Sequence, residues 1–258
     1  MMLLDFRVGD YVTRISHDHD ILFKIVSIDG EIAIIKGVDL RLYADSLITD
    51  LVKSNNRSDN DSKILEENIR DIKMDRNQFF YLPGRILHID GDSDYLKRCM
   101  NFYKEMNVRA NGLTLLEIDM PRKIEELLNE YKPDILVITG HDAYYKNTKG
   151  NKYQNSINFI DAVKEARKYE KSQDKLIIVA GACQSNYEEL IKSGANFASS
   201  PKRINIHALD PAIIATSLAF SDKNKSIDLI KLIEKTKYGS DGIGGIITNG
   251  TMYVGYPR

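Results

Sequence analysis

The sequence predicts a mixed α/β protein in which a small β module precedes a doubly wound α/β sheet. Up to residue 51, short apolar runs recur with a period near two, which is typical of strands. After residue 80, wholly apolar runs alternate with helical patterns, which is typical of a parallel sheet. A polar, charged stretch separates the two patterns. We therefore predict a β-barrel domain over residues 1–52, a linker over 53–79 and an α/β domain over 80–258.

The N-terminal module has strand patterns at residues 11–15, 21–28 and 32–38. Asp29-Gly30 separates the last two, and this dipeptide favours a tight hairpin because both positions tolerate positive φ. Several short strands in so little chain predict a barrel of the SH3 type. Such barrels bind peptides or nucleic acid about as often as they only pack, so the module does not select a function.

The linker contains no glycine, proline or aromatic residue between positions 53 and 78. Too few apolar groups are present to offset the cost of ordering the chain, which predicts a solvated connector. A short amphipathic helix over 64–74 is compatible with its pattern.

The elements of the α/β region follow in order from periodicity and turn signals. Predicted strands cover 85–90, 111–118, 135–139 and 176–180, and predicted helices cover 95–106, 122–131, 156–169 and 186–193. Residues 239–255, with Asn249-Gly250 as a hairpin turn, are expected to form closing β structure. Active sites of such sheets lie beyond the carboxyl ends of the strands, which is where we look for chemistry.

Composition excludes several classes of function. The formal net charge is −1, with 36 basic and 37 acidic side chains, so no bulk attraction to nucleic acid or anionic membrane is expected. Apolar stretches are too short to span a bilayer, and the N-terminus lacks a signal-peptide pattern. Two cysteines are too few for a disulfide framework. We expect an intracellular protein without a metal or cofactor.

Two residues with catalytic potential directly follow apolar strands. His141 follows the strand at 135–139, and Cys183 follows the strand at 176–180 in a turn of small residues before a helix. A neighbouring imidazole and a helix N-terminus both favour a nucleophilic thiolate. The backbone N–H groups of Cys183 and Asp142 would face the oxyanion. Pattern alone leaves open that Cys183 is a buried structural thiol.

The remaining cysteine and histidines are weaker candidates. Cys99 lies within a predicted helix and is interpreted as a core residue, and His88 is expected to be buried in its strand. His207 stands close enough to the strand ends to be a lesser candidate.

The order of a strand, a histidine, a helix, a strand and a cysteine resembles the caspase-like peptidases. Longer blocks resemble the YabG family of sporulation-specific proteases. They are Thr139-Gly140-His141-Asp142, Ala180-Gly181-Ala182-Cys183-Gln184-Ser185 and residues 8–12, 83–92, 194–211 and 241–245. These blocks are spread over both predicted domains.

This resemblance implies a caspase-like α/β fold and a cysteine endopeptidase with Cys183 as nucleophile and His141 as general base. It further implies cleavage next to basic residues, mainly arginine, in spore coat and cortex morphogenetic proteins. The place of action would be the mother-cell cytoplasm or the spore coat. The chain departs from the broader pattern at Asp142, where many relatives have glycine, and at Gly181, where several arginine-specific relatives have aspartate.

Because Gly181 supplies no carboxylate, a pocket for arginine needs an acidic residue elsewhere. Asp90 and Asp92 end the first α/β strand and are the leading candidates, although either could simply cap the next helix. Asp142 is a further candidate. Ser199 and Ser200 could supply an edge on which an extended substrate pairs.

Two other functions remain open, and one consequence follows for the linker. A non-catalytic spore coat assembly protein would use the barrel to recruit partners and Cys183 only for packing. A glutaminase-type amidotransferase is disfavoured because only His207 follows the cysteine, at too short a spacing. If the chain is a protease, self-cleavage is expected in the linker at Arg57, Arg70 or Arg76.

Overall fold

The computed structural model describes residues 6–54, 79–147 and 150–256. The predicted linker lies almost wholly outside the described residues, as do Arg57, Arg70 and Arg76. What is described comprises an antiparallel N-terminal sheet and a mainly parallel central sheet. In this described part, no helix is both long enough and apolar enough to cross a membrane.

The N-terminal sheet contains β1 (Tyr11–Arg14), β2 (Phe23–Asp29), β3 (Ile32–Gly37), β4 (Tyr43–Leu47) and β5 (Leu51–Lys53). Its five strands are antiparallel in the order β4-β3-β2-β1-β5. The strands predicted from the period-two pattern are confirmed. Gly30, which has a positive φ of 59°, lies in the turn between β2 and β3. A small apolar core fills one face, made of Val12, Phe23, Ile25, Ala33, Ile35 and Leu51.

The central region alternates strands and helices. The strands are β6 (Phe80–Leu82), β7 (Ile86–Asp90), β8 (Ala110–Thr114), β9 (Ile135–Thr139), β10 (Tyr144–Asn147), β11 (Gly150–Tyr153), β12 (Ile177–Ala180), β13 (Phe197–Ser199), β14 (Ile243–Gly245) and β15 (Tyr253–Gly255). The helices are α1 (Ser93–Glu105), α2 (Met120–Tyr131), α3 (Ser156–Tyr169), α4 (Tyr187–Lys192), α5 (Asp210–Ala219) and α6 (Leu229–Ile233).

Six strands form the central sheet in the order β14-β13-β12-β9-β7-β8, and only β14 runs antiparallel to its neighbour. Helices cover both faces, with α1 and α5 on one side and α2 and α3 on the other. Alternate residues of β9 enter the two cores, because successive side chains of a strand point to opposite faces. The prediction of a mixed α/β protein with helices on both faces is therefore confirmed.

Three local predictions were wrong. The strand predicted at 111–118 ends at Thr114, since residues 117–119 turn into a 3-10 helix. A hairpin of β10 and β11 stands where the sequence indicated only a loop. The Asn249-Gly250 turn does not join a hairpin: β14 pairs with β13, and β15 pairs with β6. Pairing with distant strands outweighs the local turn signal in that segment.

Candidate active site

His141 and Cys183 occupy equivalent positions at the carboxyl edge of the central sheet. Ile138 of β9 stands opposite Ala180 of β12, and each candidate residue lies three positions beyond its strand partner. The backbone N–H of Gly181 donates to the Ile138 carbonyl at 3.0 Å, which continues the pairing past the strand ends. The sheet therefore places both residues at the ends of neighbouring strands, although no hydrogen bond joins His141 Nδ1 to Cys183 Sγ in this arrangement.

The turn that carries Cys183 depends on glycine. Gly181 has φ +105°, and a Cβ there would lie 2.9 Å from the Leu190 side chain and 3.3 Å from the Ser199 Cβ. Hydrogen bonding closes the turn, since the Ala182 N–H donates to Ser185 Oγ at 2.9 Å. Helix α4 begins only at Tyr187 and has six residues. The helix N-terminus expected at Cys183 thus lies farther along the chain and is short.

One nitrogen of the His141 ring is held by a carboxylate. His141 Nε2 lies 2.9 Å from Asp92 Oδ2, and the His141 backbone N–H donates to Glu117 Oε1 at 2.8 Å. The rings of Tyr43 and Tyr95 pack against the imidazole, with centroids 4.6 and 5.6 Å away. Its other nitrogen, Nδ1, is buried and has no hydrogen-bond partner among the described residues. A single free ring nitrogen is what a general base requires.

Asp92 is held in its charged form. Burial alone would raise the pKa of its carboxyl group, but hydrogen bonds from His141 and Lys36 outweigh this and keep the pKa well below its ordinary value. Lys36 Nζ lies 2.6 Å from Asp92 Oδ1. An ionised carboxylate can only accept hydrogen bonds, so it favours the ring tautomer that has N–H at Nε2 and the lone pair at Nδ1.

Cys183 is almost completely buried, with 1% of its surface exposed. The backbone N–H of Ile206 donates to its Sγ at 3.3 Å. Burial raises the pKa of the Cys183 thiol to about 12, although that hydrogen bond and the charge of Arg41 lower it in part. In this arrangement the thiol is therefore neutral near pH 7 and closed off from solvent.

A buried acidic pocket lies next to these residues. Arg41 Nη1 lies 2.5 Å from Asp90 Oδ2, and both side chains are fully buried. Arg41 Nη2 donates to the Ala208 carbonyl at 3.0 Å, and the guanidinium stands 5.1 Å from the Tyr95 ring centroid. Burial would raise the pKa of Asp90, but the Arg41 charge and bonds from neighbours hold it far below its ordinary value. Asp90, the Ala208 carbonyl and the Tyr95 ring thus surround the Arg41 guanidinium in this buried pocket.

The other predicted substrate-binding residues have structural partners. The carboxylate of Asp142 accepts hydrogen bonds from the Ala143 and Asn155 N–H groups and from two serine hydroxyls. Ser200 Oγ accepts a hydrogen bond from the Gln184 N–H and lies within hydrogen-bond distance of the Ala182 and Ile204 carbonyls. Ser199 is buried, and its hydroxyl finds no hydrogen-bond partner within the described residues.

The remaining candidates lie at the edge of the site. His88 is buried in β7, as predicted, and bonds Tyr103 and Thr139. Cys99 is buried, as predicted, but it also contacts the Arg41 guanidinium, with 3.6 Å between Sγ and Nη2. His207 is buried beside Ile206.

Several residues of the site carry no sequence signal. Lys36, Arg41 and Tyr43 come from the N-terminal sheet, and Glu117 and Tyr95 from the central region. Sequence patterns assign β3 and β4 to a separate barrel, so nothing in them indicates that their connection enters the site. A charged arginine between two leucines is the one unusual feature, because charged residues are rarely buried without a partner.

An open cavity of about 550 Å³ adjoins His141 and Asp92 on the solvent side. Its walls include Tyr43 and Asp45 from the N-terminal sheet and Gln154 from the segment after β11.

Comparison with known proteins defines the class of this chain. The sequence profile of the family described as YabG peptidase U57 matches residues 7–257. The chain therefore belongs to this family of peptidases. Sporulation-specific protease YabG of Bacillus subtilis (strain 168) is 40% identical to this chain over an alignment of 286 positions. The alignment covers 98% of this chain and 99% of that protein. No solved structure matches. The family expected from the sequence blocks is confirmed.

Proposed function

We propose that this peptidase is a cysteine endopeptidase that cleaves after arginine, with Cys183 as the nucleophile and His141 as the general base. One observation carries the proposal. His141 Nε2 is fixed by Asp92 while Nδ1 has no partner among the described residues, at the strand edge that also carries Cys183. Asp92 adds an orienting residue to the proposed pair, which the sequence had suggested only for the arginine pocket.

The reaction follows the steps of other thiol peptidases. His141 Nδ1 takes the thiol proton, and Sγ attacks the carbonyl carbon of the substrate arginine. The backbone N–H groups of Cys183 and Asp142 are proposed to stabilise the oxyanion. The His141 N–H is engaged by Glu117, so it is not a donor for that role. His141 then protonates the leaving amine, and water hydrolyses the thioester.

Asp90 is proposed to select arginine. Its carboxylate is desolvated and ionised at the base of the pocket, and Tyr95 offers a ring face to the cation. A guanidinium can also donate a second hydrogen bond to the Ala208 carbonyl, as that of Arg41 does. Lysine has a single compact head group, so it would satisfy this pocket less well.

We also propose a fold type for each domain and a cellular role, from the sheet topology and the similarity to the protease of Bacillus subtilis. The central sheet, with its active residues at the carboxyl edge, fits a caspase-like domain, and the N-terminal sheet fits an SH3-like barrel. Because the relative from Bacillus subtilis is a sporulation-specific protease, we propose spore coat and cortex proteins as substrates. The mother cell is then the proposed place of action.

Variants of the two central residues test the proposal. Cys183→Ala and His141→Ala should each lower the cleavage rate of an arginyl peptide by at least ~10³-fold, because proton transfer and covalent attack are lost. His17→Ala serves as the matched control, since His17 is exposed on the N-terminal sheet. Substantial activity in either central variant, with unchanged thermal unfolding, would exclude the proposed chemistry.

A further inference from the structure

The connection between β3 and β4 reaches the candidate active site as a bent segment, in which the Leu42 N–H donates to the Leu40 carbonyl at 2.8 Å. We term residues 37–42 the Arg41 segment. The Arg41 N–H donates to the Ile206 carbonyl at 3.2 Å, and the Ala208 N–H donates to the Asp39 carbonyl at 2.7 Å. Leu40 stands opposite His207 in an antiparallel bridge between these two bonds. This alternating pattern is how an extended peptide adds to the edge of a binding strand.

The side chain at the centre of this segment fills the acidic pocket. Arg41 is fully buried against Asp90, and burying a guanidinium is costly unless a carboxylate and further hydrogen bonds compensate it. Here the compensating groups all come from the central domain: Asp90, the Ala208 carbonyl and the Tyr95 ring. Arg41 therefore occupies the place proposed for the arginine of a substrate.

Further contacts hold the segment in place from the central domain. The Tyr95 hydroxyl bonds the carbonyls of Gly37 and Leu40 at 2.6 and 2.7 Å. Arg98 donates to the Val38 carbonyl at 2.7 Å and forms an ion pair with Asp39. Such a set of contacts fixes the backbone on both sides of Arg41 rather than only its guanidinium.

The backbone of Arg41 is linked to the proposed nucleophile through Ile206. The Ile206 carbonyl accepts the Arg41 N–H at 3.2 Å, and the Ile206 N–H donates to the Cys183 sulfur at 3.3 Å. Lys36 and Tyr43, at the two ends of the connection, contact Asp92 and His141. The Arg41 segment and its flanking residues thus contact Asp90, Asp92 and His141.

We propose that the peptide bond between Arg41 and Leu42 is an internal substrate, which blocks the site until Cys183 cleaves it. The inference rests on the proposed function. It places self-cleavage in the barrel rather than in the linker, where Arg57, Arg70 and Arg76 lie outside the described residues.

The cleavage balances without an additional reagent. Cys183 Sγ bonds to the Arg41 carbonyl carbon while its proton moves to His141 Nδ1. The bond to the Leu42 nitrogen then breaks, and that nitrogen takes the proton from His141. Water attacks the thioester with His141 as base, which releases the Arg41 carboxylate and restores the thiol.

After cleavage, the two pieces of the N-terminal sheet would remain joined by backbone hydrogen bonds between their strands. Strand β3 bonds β4 across five residue pairs between Ile32↔Leu47 and Lys36↔Tyr43, and β1 bonds β5. The pieces 1–41 and 42–258 should therefore stay associated under native conditions and separate only when denatured. The Arg41 end becomes a free terminus, which can leave the pocket and admit another arginine.

Mass spectrometry of the denatured full-length protein tests the inference. Wild type should give two chains that divide between Arg41 and Leu42, whereas Cys183→Ala should stay one chain of 29.4 kDa. Arg41→Lys keeps the positive charge beside Asp90, so it should fold and be cut at least ~10-fold more slowly. Arg85→Ala removes an arginine–aspartate pair outside the site and should be cut like wild type.

Hydrolysis of a separate arginyl peptide distinguishes the possible failures. If wild type stays intact, or is cut only at Arg57, Arg70 or Arg76, the internal-substrate inference is overturned. The proposed function then survives if wild type or Arg41→Ala hydrolyses the peptide. If neither wild type nor Arg41→Ala hydrolyses the peptide, and thermal unfolding shows that both proteins are folded, the proposed function is overturned as well.

Discussion

Asp90 and Asp92 stand two residues apart at the end of β7 and bond different partners. Asp90 points into the buried pocket and binds Arg41, whereas Asp92 binds His141 and Lys36. Asp92 also caps α1, because its Oδ1 accepts the Asp94 and Tyr95 N–H groups. Of the two roles considered for Asp92 from the sequence, the structure shows the helix cap, and the same side chain also bonds His141.

Single residues show where sequence reasoning reaches its limit. His141 and Cys183 could be selected because each directly follows a wholly apolar strand, which is a local signal. That His141 Nδ1 lacks a partner among the described residues could not be predicted, since the ring is positioned by Tyr43 of β4 and by Asp92 and Tyr95 at the start of α1. Side-chain partners of this kind arise only from the packed fold.

The change Asp92→Asn tests the orienting role. An amide can present its donor side to His141 Nε2, which permits the other tautomer and removes the lone pair from Nδ1. In Ser-His-Asp triads the equivalent change lowers kcat by about 10⁴-fold; we expect a loss of at least ~10²-fold for an arginyl peptide here. KM should change little, because Asp92 does not line the Arg41 pocket. A kcat within a factor of two of wild type would contradict the role.

At the scale of elements, the strands were predictable and the connection between β3 and β4 was not. Period-two and wholly apolar runs are local patterns, so they place β1 to β3, β7, β9 and β12 correctly. The Arg41 segment pairs instead with residues 206–208, far along the chain. No local pattern encodes such a pairing, which is why the sequence indicated a separate barrel instead of one that enters the active site.

The sequence predicted that the N-terminus of the helix after Cys183 would help to activate the thiol, but this helix is short and begins four residues later. Since α4 begins at Tyr187 and is only six residues long, its dipole is a weak influence on the thiol. Under the proposed function, His141 therefore provides most of the activation of the thiol. In this arrangement the pKa of Cys183 is about 12 because the thiol is buried.

At the scale of the whole molecule, two of the ion pairs between the N-terminal region and the central domain involve the carboxylates at the end of β7. Arg41 bonds Asp90 and Lys36 bonds Asp92. Both carboxyl groups have a pKa held below the ordinary value of 3.8. Their stabilising contribution is therefore complete above pH 3.8 and is lost as the pH falls toward their lowered values.

This linkage predicts how the stability of Asp92→Asn compares with that of wild type. At pH 7 wild type should be more stable by about 2 kcal/mol, since hydrogen bonds to a charged group are lost in the variant. The difference should be constant from pH 7 to pH 5 and narrow only below pH 3.8. Urea unfolding across this range measures it. A difference that already narrows between pH 7 and pH 5 would show that Asp92 does not have a lowered pKa.

The most direct measurement of the central claim is covalent labelling by an arginyl peptide chloromethyl ketone, which alkylates a nucleophile only when arginine is bound beside it. Both cysteines of the chain are buried, so Cys99 serves as an internal comparison. Peptide mapping of the protein, after any cleavage of its own chain, should find one adduct on Cys183, none on Cys99, and none after incubation with an aspartyl analogue. An unlabelled Cys183, or equal labelling by both reagents, would contradict an arginine-directed cysteine peptidase.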